Sequence, residues 1–346
     1  MSPNTRARAI DAACPVACPG VHTKLFSLLL AVLCLSATVA AGCGGGSDSG
    51  EASRPAPDRA EFPSANGKTL AQLLRSSGAK RTNLVIAPAA QAFVVGQDRY
   101  PFGVFTKGRE QVTDADVALY FAKSEAAPAQ GPYPAQVTSL AVKPAYRSQL
   151  NDPDAARAVY VVPKVDFDRG GPWVAIAMLK GRRGLKASRV PSPVVEEFPE
   201  IPKVGEKAPV IHTPTAADVG GDLSKIDTRV PPDQMHEVDF AAVVGKKPIV
   251  LVFATPALCQ SRVCGPVVDV AQQVADVHGD EADFIHMEVY NDNDAGKGIR
   301  PQLRAYGLPT EPWTFLIDRN GIVRDRIEGA YGVSELEQAL KTILPG

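Results

Sequence analysis

The stretch at residues 248–266, PIVLVFATPALCQSRVCGP, decides how the C-terminal part of the chain is interpreted. Its apolar run, residues 249–253, is typical of a buried parallel strand. A short loop then carries Cys259 and Cys264, and an amphipathic segment follows. Two thiols at a strand-to-helix junction predict thiol chemistry, because a second thiol can resolve a mixed disulfide formed by the first.

The sequence after Cys264 alternates between helical and strand periodicity. Apolar residues recur at helical spacing, and two further apolar strands and a short helix follow. An Asn320-Gly321 pair predicts a tight hairpin, and the chain closes on an amphipathic helix. The predicted order is β-α-β-α-β-β-α, an α/β arrangement.

Residues 210–346 resemble the thioredoxin-like superfamily. VLVFAT at residues 250–255 is similar to the strand that leads into the family's active-site cysteines, and LPTEPWTFLID at residues 308–318 is similar to the stretch around its cis-proline. The resemblance implies a cis-proline at Pro312, with Pro309 as the alternative. In the family this proline packs against the cysteine pair and helps to hold substrate.

The cysteine spacing departs from the C-x-x-C of thioredoxins. Cys259-Gln-Ser-Arg-Val-Cys264 resembles the C-x4-C of atypical peroxiredoxins, but Thr255 is one position out of register for that family. Cys264-Gly-Pro also resembles C-G-P-C with its last Cys replaced. Which cysteine attacks is therefore left open. A purely structural disulfide is a further alternative, although so small a loop gains little entropy from a crosslink.

The N-terminal region predicts export and anchoring. Basic residues precede an apolar run that ends in Ala40-Ala41-Gly42, directly before Cys43. This pattern resembles the lipobox of bacterial lipoproteins, which implies a signal peptide at residues 1–42, acylation of Cys43 and a location on the extracytoplasmic face of the bacterial cell membrane. Residues 43–82, rich in Gly, Ser and Pro at their start, predict a flexible tether.

Residues 83–195 alternate with a period of two and carry frequent turn signals, which predicts an all-β sandwich. VTDADV at residues 112–117 and FDRGGPWV at residues 167–174 resemble bacterial Ig-like domains. A proline-rich segment with both charge signs follows, and residues 196–209 are predicted to link the sandwich to the last domain. The predicted fold class is thus mixed: an Ig-like sandwich followed by a thioredoxin-like domain.

The net charge of −1 gives no electrostatic reason to expect nucleic acid as a partner. The histidines of the last domain (His212, His236, His278 and His286) do not match a copper-delivery pattern, so no metal and no cofactor are predicted.

The predicted function is a membrane-anchored thiol–disulfide oxidoreductase. Its catalytic residues would be Cys259, Cys264 and Pro312, and its partner an exported protein or a small thiol or disulfide. The alternatives are a non-catalytic lipoprotein that binds a partner or copper, and a thiol peroxidase.

Overall fold

The computed structural model describes residues 52–150, 152–181, 184–259 and 261–344, and shows a mixed, mostly β architecture with a few helices. The predicted signal peptide and the predicted lipidation site, Cys43, lie outside these ranges. Within the ranges, none of the helices combines the length and the apolar character needed to cross a bilayer.

The first part of the fold consists of two sheets that face each other. Its strands are β1 (Lys80–Arg81), β2 (Val85–Pro88), β3 (Gly96–Phe105), β4 (Asp116–Ala122), β5 (Ala129–Pro134), β6 (Gln136–Ser139), β7 (Ala158–Phe167), β8 (Gly171–Pro172), β9 (Val174–Gly181), β10 (Gly184–Val190) and β11 (Val194–Val195). One sheet has the order β1-β10-β9-β4-β5 and the other β2-β3-β7-β6, with β8 and β11 as a small separate ladder.

Aromatic side chains fill the space between these two sheets. Tyr100, Phe121, Phe167 and Trp173 are fully buried in one cluster. Phe167 meets Trp173 edge-on, with ring centroids 5.3 Å apart, and Phe121 in the same manner at 5.5 Å. Such edge-on pairs add to the free energy gained from burying the rings. The strand pattern of residues 83–195 therefore forms a sandwich core.

Helix α1 (Leu70–Ser77) covers the outer face of the five-stranded sheet. Its residues Leu70 and Leu73 are buried in a cluster with Tyr120 and Met178. Earlier in the chain, Arg54 pairs with Val137 by backbone hydrogen bonds. These contacts correct the prediction of a flexible tether over residues 43–82, because the later part of that segment is packed against the sandwich. Only a few apolar residues make these contacts. The segment is otherwise polar, so its composition does not reveal that it packs.

The second part is a four-stranded sheet with helices. Its elements are α2 (Phe240–Val243), β12 (Ile249–Phe253), α3 (Cys264–His278), β13 (Asp283–Met287), α4 (Pro301–Ala305), β14 (Trp313–Ile317), β15 (Val323–Glu328) and α5 (Val333–Leu340). The strand order is β13-β12-β14-β15, with β12 and β13 parallel and the other pairs antiparallel. The predicted order of strands and helices from residue 249 onward is confirmed.

The two parts are tightly joined. Val159 and Val161 of β7 share a buried cluster with Val267 of α3 and Leu336 of α5, so β7 is buried on both faces. The guanidinium of Arg99 donates to both carboxylate oxygens of Glu335, at 2.7 and 3.1 Å. The described residues accordingly belong to one compact unit.

The segment predicted as a linker, residues 196–209, is packed as well. Ile201 and Ala208 are buried among the apolar residues of the second sheet, and the N–H of Ala208 donates to the carbonyl of Gly321. Apolar residues within this proline-rich stretch are what hold it to the sheet. The boundaries of the two predicted domains stay a prediction.

Candidate functional site

Cys259 and Cys264 lie between the end of β12 and the first turn of α3, and they form a disulfide with their Cα atoms 5.9 Å apart. Cys264 is the first residue of α3 and is fully buried beneath the helix. Cys259 is half-buried, packed against the edge of the same apolar cluster. The two sulfurs therefore differ in access: only Cys259 borders solvent.

Two polar groups contact the sulfur of Cys259. The backbone N–H of Cys264, an orphan donor of the first helical turn, points at Cys259 Sγ from 3.3 Å. The hydroxyl of Ser261 lies 3.2 Å from the same atom. Both groups can donate to a thiolate at this position, and a helix N-terminus stabilises negative charge. These two contacts are ones that a thiolate at Cys259 would accept once the disulfide is opened.

A loop of the sandwich is fastened to the cysteine loop. The carbonyl of Arg262 accepts the N–H of Ala156 at 3.0 Å, and the guanidinium of Arg262 pairs with the Asp154 carboxylate at 3.0 Å. Arg262 has a left-handed backbone, with φ at 64°, a conformation that side chains other than Gly seldom adopt. Both the backbone and the side chain of Arg262 are therefore engaged by the sandwich.

A cavity of about 610 Å³ opens beside Cys259, between the two parts of the fold. Cys259, Pro256 and Gly265 line one wall, and residues of the sandwich such as Gln111 and Leu150 line the other. Four arginines and four acidic residues are spread around it: Arg109, Arg147, Arg157, Arg262, Glu110, Asp152, Asp154 and Asp269. Small polar groups or a peptide loop could enter this cavity and reach the sulfur of Cys259.

Buried polar groups support the loop from below. Arg229, on the irregular segment before β12, donates to Asp269 of α3 at 2.9 Å and to the carbonyl of Tyr146 at 2.6 Å. Burial raises the pKa of Asp269 even though Arg229 lies beside it. The three-way contact joins α3, the segment before β12 and the sandwich. It holds the helix that carries Cys264 in place.

Two glutamates of the last domain, Glu288 and Glu311, are removed from solvent to different degrees. Glu288 is buried and accepts the N–H and hydroxyl of Thr228, whose oxygen accepts the N–H of Ala257 in the cysteine loop. Glu288 therefore supports the loop through Thr228. Glu311 is partly buried, and burial raises its pKa.

Pro312 precedes β14. The peptide bond between Glu311 and Pro312 is cis, as the resemblance implied, and the carbonyl of Pro312 accepts the N–H of Gly329. The register pairs Trp313 with Phe253, so Pro312 lies next to the end of β12. The residues that line the cavity at Cys259 do not include Pro312 in the part of the chain that the structure describes. Its role in holding substrate stays a prediction.

A second polar cluster, which we call the Asp–His cluster, lies under the same loop. It consists of Asp227, Asp233, His236 and His286, all buried, with one possible ligand atom of each within 4.8 Å of the others. His286 connects this cluster to the cysteine loop, because its Nε2 lies 3.1 Å from the carbonyl of Ala254. Sequence reasoning considered the two histidines and missed both aspartates, because no spacing along the chain relates them to His286.

The protonation of His286 follows from its partners. A carbonyl only accepts, so Nε2 carries a hydrogen toward Ala254, and a carboxylate only accepts, so Nδ1 carries one toward Asp233 at 2.7 Å. Burial lowers the pKa of His286, but the carboxylates of Asp233 and Asp227 outweigh it and raise the pKa to about 10. His286 holds a positive charge in this arrangement.

No protein-family model matches the chain, and a search of curated proteins finds no relative.

Proposed function

We propose that the chain is a thiol–disulfide oxidoreductase in which Cys259 and Cys264 form the exchanging pair. The observation that carries this proposal is the unequal access of the two sulfurs: Cys259 borders a cavity, and its partner Cys264 is sealed beneath α3. A structural crosslink has no need of an accessible sulfur beside a cavity. An exchanging couple needs one sulfur that a partner can reach and one that resolves.

A thioredoxin-like fold for residues 210–346 and an Ig-like fold for residues 83–195 are part of the proposal. The parallel β12-α3-β13 unit followed by the β14–β15 hairpin and α5 supports the first. Two facing antiparallel sheets around an aromatic core support the second. In the first fold the exchanging cysteine lies at the start of the helix after the first core strand, which is where Cys259 and Cys264 lie.

The exchange begins with a partner thiolate that attacks Sγ of Cys259. The new bond joins the partner sulfur to Cys259, the Cys259–Cys264 bond breaks, and its electron pair leaves on Cys264 at the first turn of α3. A second partner thiolate then attacks the partner sulfur of this mixed disulfide and releases Cys259 as a thiolate. The partner loses two electrons and two protons, and the cysteine pair gains the electrons and takes protons from solvent. The reverse sequence reduces a partner disulfide.

The cavity indicates the kind of partner. Its mouth carries charges of both signs and its walls come from both parts of the fold, so we infer that the sandwich contributes to docking. An exported protein with a flexible cysteine-bearing loop, or a small thiol, fits these walls. Acylation at Cys43 would keep the protein on the extracytoplasmic face of the membrane, where disulfides persist.

The test is reduction of a small aromatic disulfide or of insulin by the reduced protein, with a small dithiol in excess that reduces the Cys259–Cys264 pair again after each cycle. We expect turnover in the wild type and a fall to the level of a blank in Cys259→Ser and in Cys264→Ser. The matched control is Ser224→Ala, which removes an exposed hydroxyl bonded to Asp222 away from the cysteine loop. Unchanged turnover in either cysteine variant would refute the proposal, and peroxide consumption in place of disulfide exchange would favour a thiol peroxidase.

The reduction potential of the pair separates a working couple from a crosslink. We expect a value at or above roughly −270 mV, which is typical of thioredoxin, whereas structural disulfides fall below about −300 mV. Thiol alkylation after equilibration in defined dithiol buffers, read by intact mass, measures it.

A further inference from the structure

The Asp–His cluster has the residue types of a transition-metal site. Two imidazoles and two carboxylates are ligands that zinc accepts in tetrahedral sites. Asp227, Asp233, His236 and His286 come from two separate parts of the chain, the segment before α2 and strand β13. The backbone joins these parts, because the N–H of His286 donates to the carbonyl of Met235 at 2.9 Å.

The four residues are close enough to share one ion, because one possible ligand atom of each lies within 4.8 Å of the others. Ligand atoms on a tetrahedron with bonds of about 2.1 Å lie about 3.4 Å apart. His236 Nε2 is 3.5 Å from an oxygen of Asp227 and 3.5 Å from an oxygen of Asp233. His286 Nδ1 is 3.8 Å from the other oxygen of Asp227 and 2.7 Å from the other oxygen of Asp233, so each carboxylate turns one oxygen toward each ring. Only the last of these distances is that of a hydrogen bond, and it lengthens when a metal replaces the shared proton.

His236 supplies the observation that points to a ligand. Its side chain is 2% exposed, and its Nε2 faces both carboxylates without a hydrogen-bond partner among the described residues. A buried ring nitrogen left unpaired costs free energy. Coordination of a cation held between Nε2 and the two carboxylates removes that cost.

The orientation of the side chains agrees with a metal. Two carboxylates and two imidazoles face one another in a sealed region. The other nitrogen of His286 donates to the carbonyl of Ala254, which is the outer contact that orients metal-binding histidines in proteins.

We propose that Asp227, Asp233, His236 and His286 bind one zinc ion as a closed, structural site. Four protein ligands and burial leave no open position for a substrate, so the ion fastens the segment at residues 227–236 to β13. Because His286 also contacts Ala254, the ion holds the floor of the cysteine loop. The site uses neither Cys259 nor Cys264 and does not depend on the redox proposal.

The first measurement is the zinc content and stability of the full chain. Protein stripped with a chelator is reloaded with Zn²⁺ alone and assayed by elemental mass spectrometry and thermal unfolding. We expect about one zinc per chain and a rise in Tm of about 5 °C or more that the chelator reverses. Absence of both stoichiometric zinc and a shift in Tm would overturn the proposal.

Variants then locate the ion. His236→Gln is expected to lose the zinc and the shift in Tm. The matched control His278→Gln removes a histidine that pairs with Glu281 on the surface and is expected to keep both. The double variant Cys259→Ser/Cys264→Ser is also expected to keep both. Zinc that persists in His236→Gln, or that is lost with the cysteines, would contradict the assignment.

Cobalt substitution keeps the test decisive if His236→Gln does not fold. Co²⁺ in the wild type is expected to show the intense visible bands of four-coordinate cobalt without a sulfur charge-transfer band. A sulfur band would place the ion on the cysteines and reject the Asp–His site.

Discussion

The cysteine loop and the Asp–His cluster adjoin each other at Ala254 and are built in opposite ways. In the loop, Cys259 borders a cavity and the sandwich is held by the Arg262–Asp154 pair at its rim. In the cluster, every group is buried and the polar atoms face one another. Exchange chemistry needs an atom that a partner can reach, whereas a support needs its charges enclosed, where removal of one partner is costly. The accessible sulfur and the enclosed charges are therefore kept apart, although the two regions are neighbours in the fold.

Arg229→Met should give the largest loss of stability, because it breaks a buried ion pair. The variant tests whether enclosed charges are costly to disturb. It leaves Asp269 buried without its cation and removes donors to two carbonyls. We expect a loss of about 3–5 kcal/mol in the free energy of unfolding, measured by urea denaturation. Lys225→Met, which breaks an exposed pair with Asp222, should cost about 1 kcal/mol or less. Equal losses in the two variants would remove the distinction between enclosed and open sites.

Thr228→Val tests the contact between the cysteine loop and the buried polar residues beneath it. The hydroxyl of Thr228 donates to Glu288 and accepts the N–H of Ala257, so its removal unpairs the Ala257 N–H and takes one of the donors from Glu288. We expect a loss of about 1–3 kcal/mol. Hydrogen exchange should quicken at Ala257 in the same variant. Thr215→Val, which removes an exposed hydroxyl bonded to Asp218, is the control, and similar exchange at Ala257 in both would show that Thr228 does not support the loop.

Asp154→Ala should have the smallest effect on stability. It breaks the Arg262 pair at a position where the Asp154 side chain is 52% exposed, so we expect about 1 kcal/mol or less. The cysteine loop gains freedom, and the rate at which a small dithiol reduces the disulfide should rise several-fold. Glu125→Ala, which breaks a surface pair with Arg189, should leave that rate unchanged. A rate that stays the same in Asp154→Ala would mean that the sandwich does not restrain the loop.

Local patterns predicted much of this molecule. Apolar periodicity located β12, α3, β14 and α5, because a strand or helix must repeat its apolar positions to bury one face. The thiol pair was visible for a similar reason, since its cysteines are close in the chain. The packing of α1 on the sheet and that of the predicted linker were missed, because a few apolar residues in a polar segment become informative only when a sheet face lies opposite.

The sequence by itself determined the cysteine pair, the order of the elements from residue 249 onward and the turn at Gly321, because each depends on neighbours along the chain. Tertiary structure alone decided that Cys259 borders a cavity and Cys264 does not, and that Arg262 faces Asp154. It also brought Asp227 and Asp233 to His286, more than fifty residues away. Folding creates such contacts between distant segments, and their energies depend on burial, which a local pattern of residues does not contain.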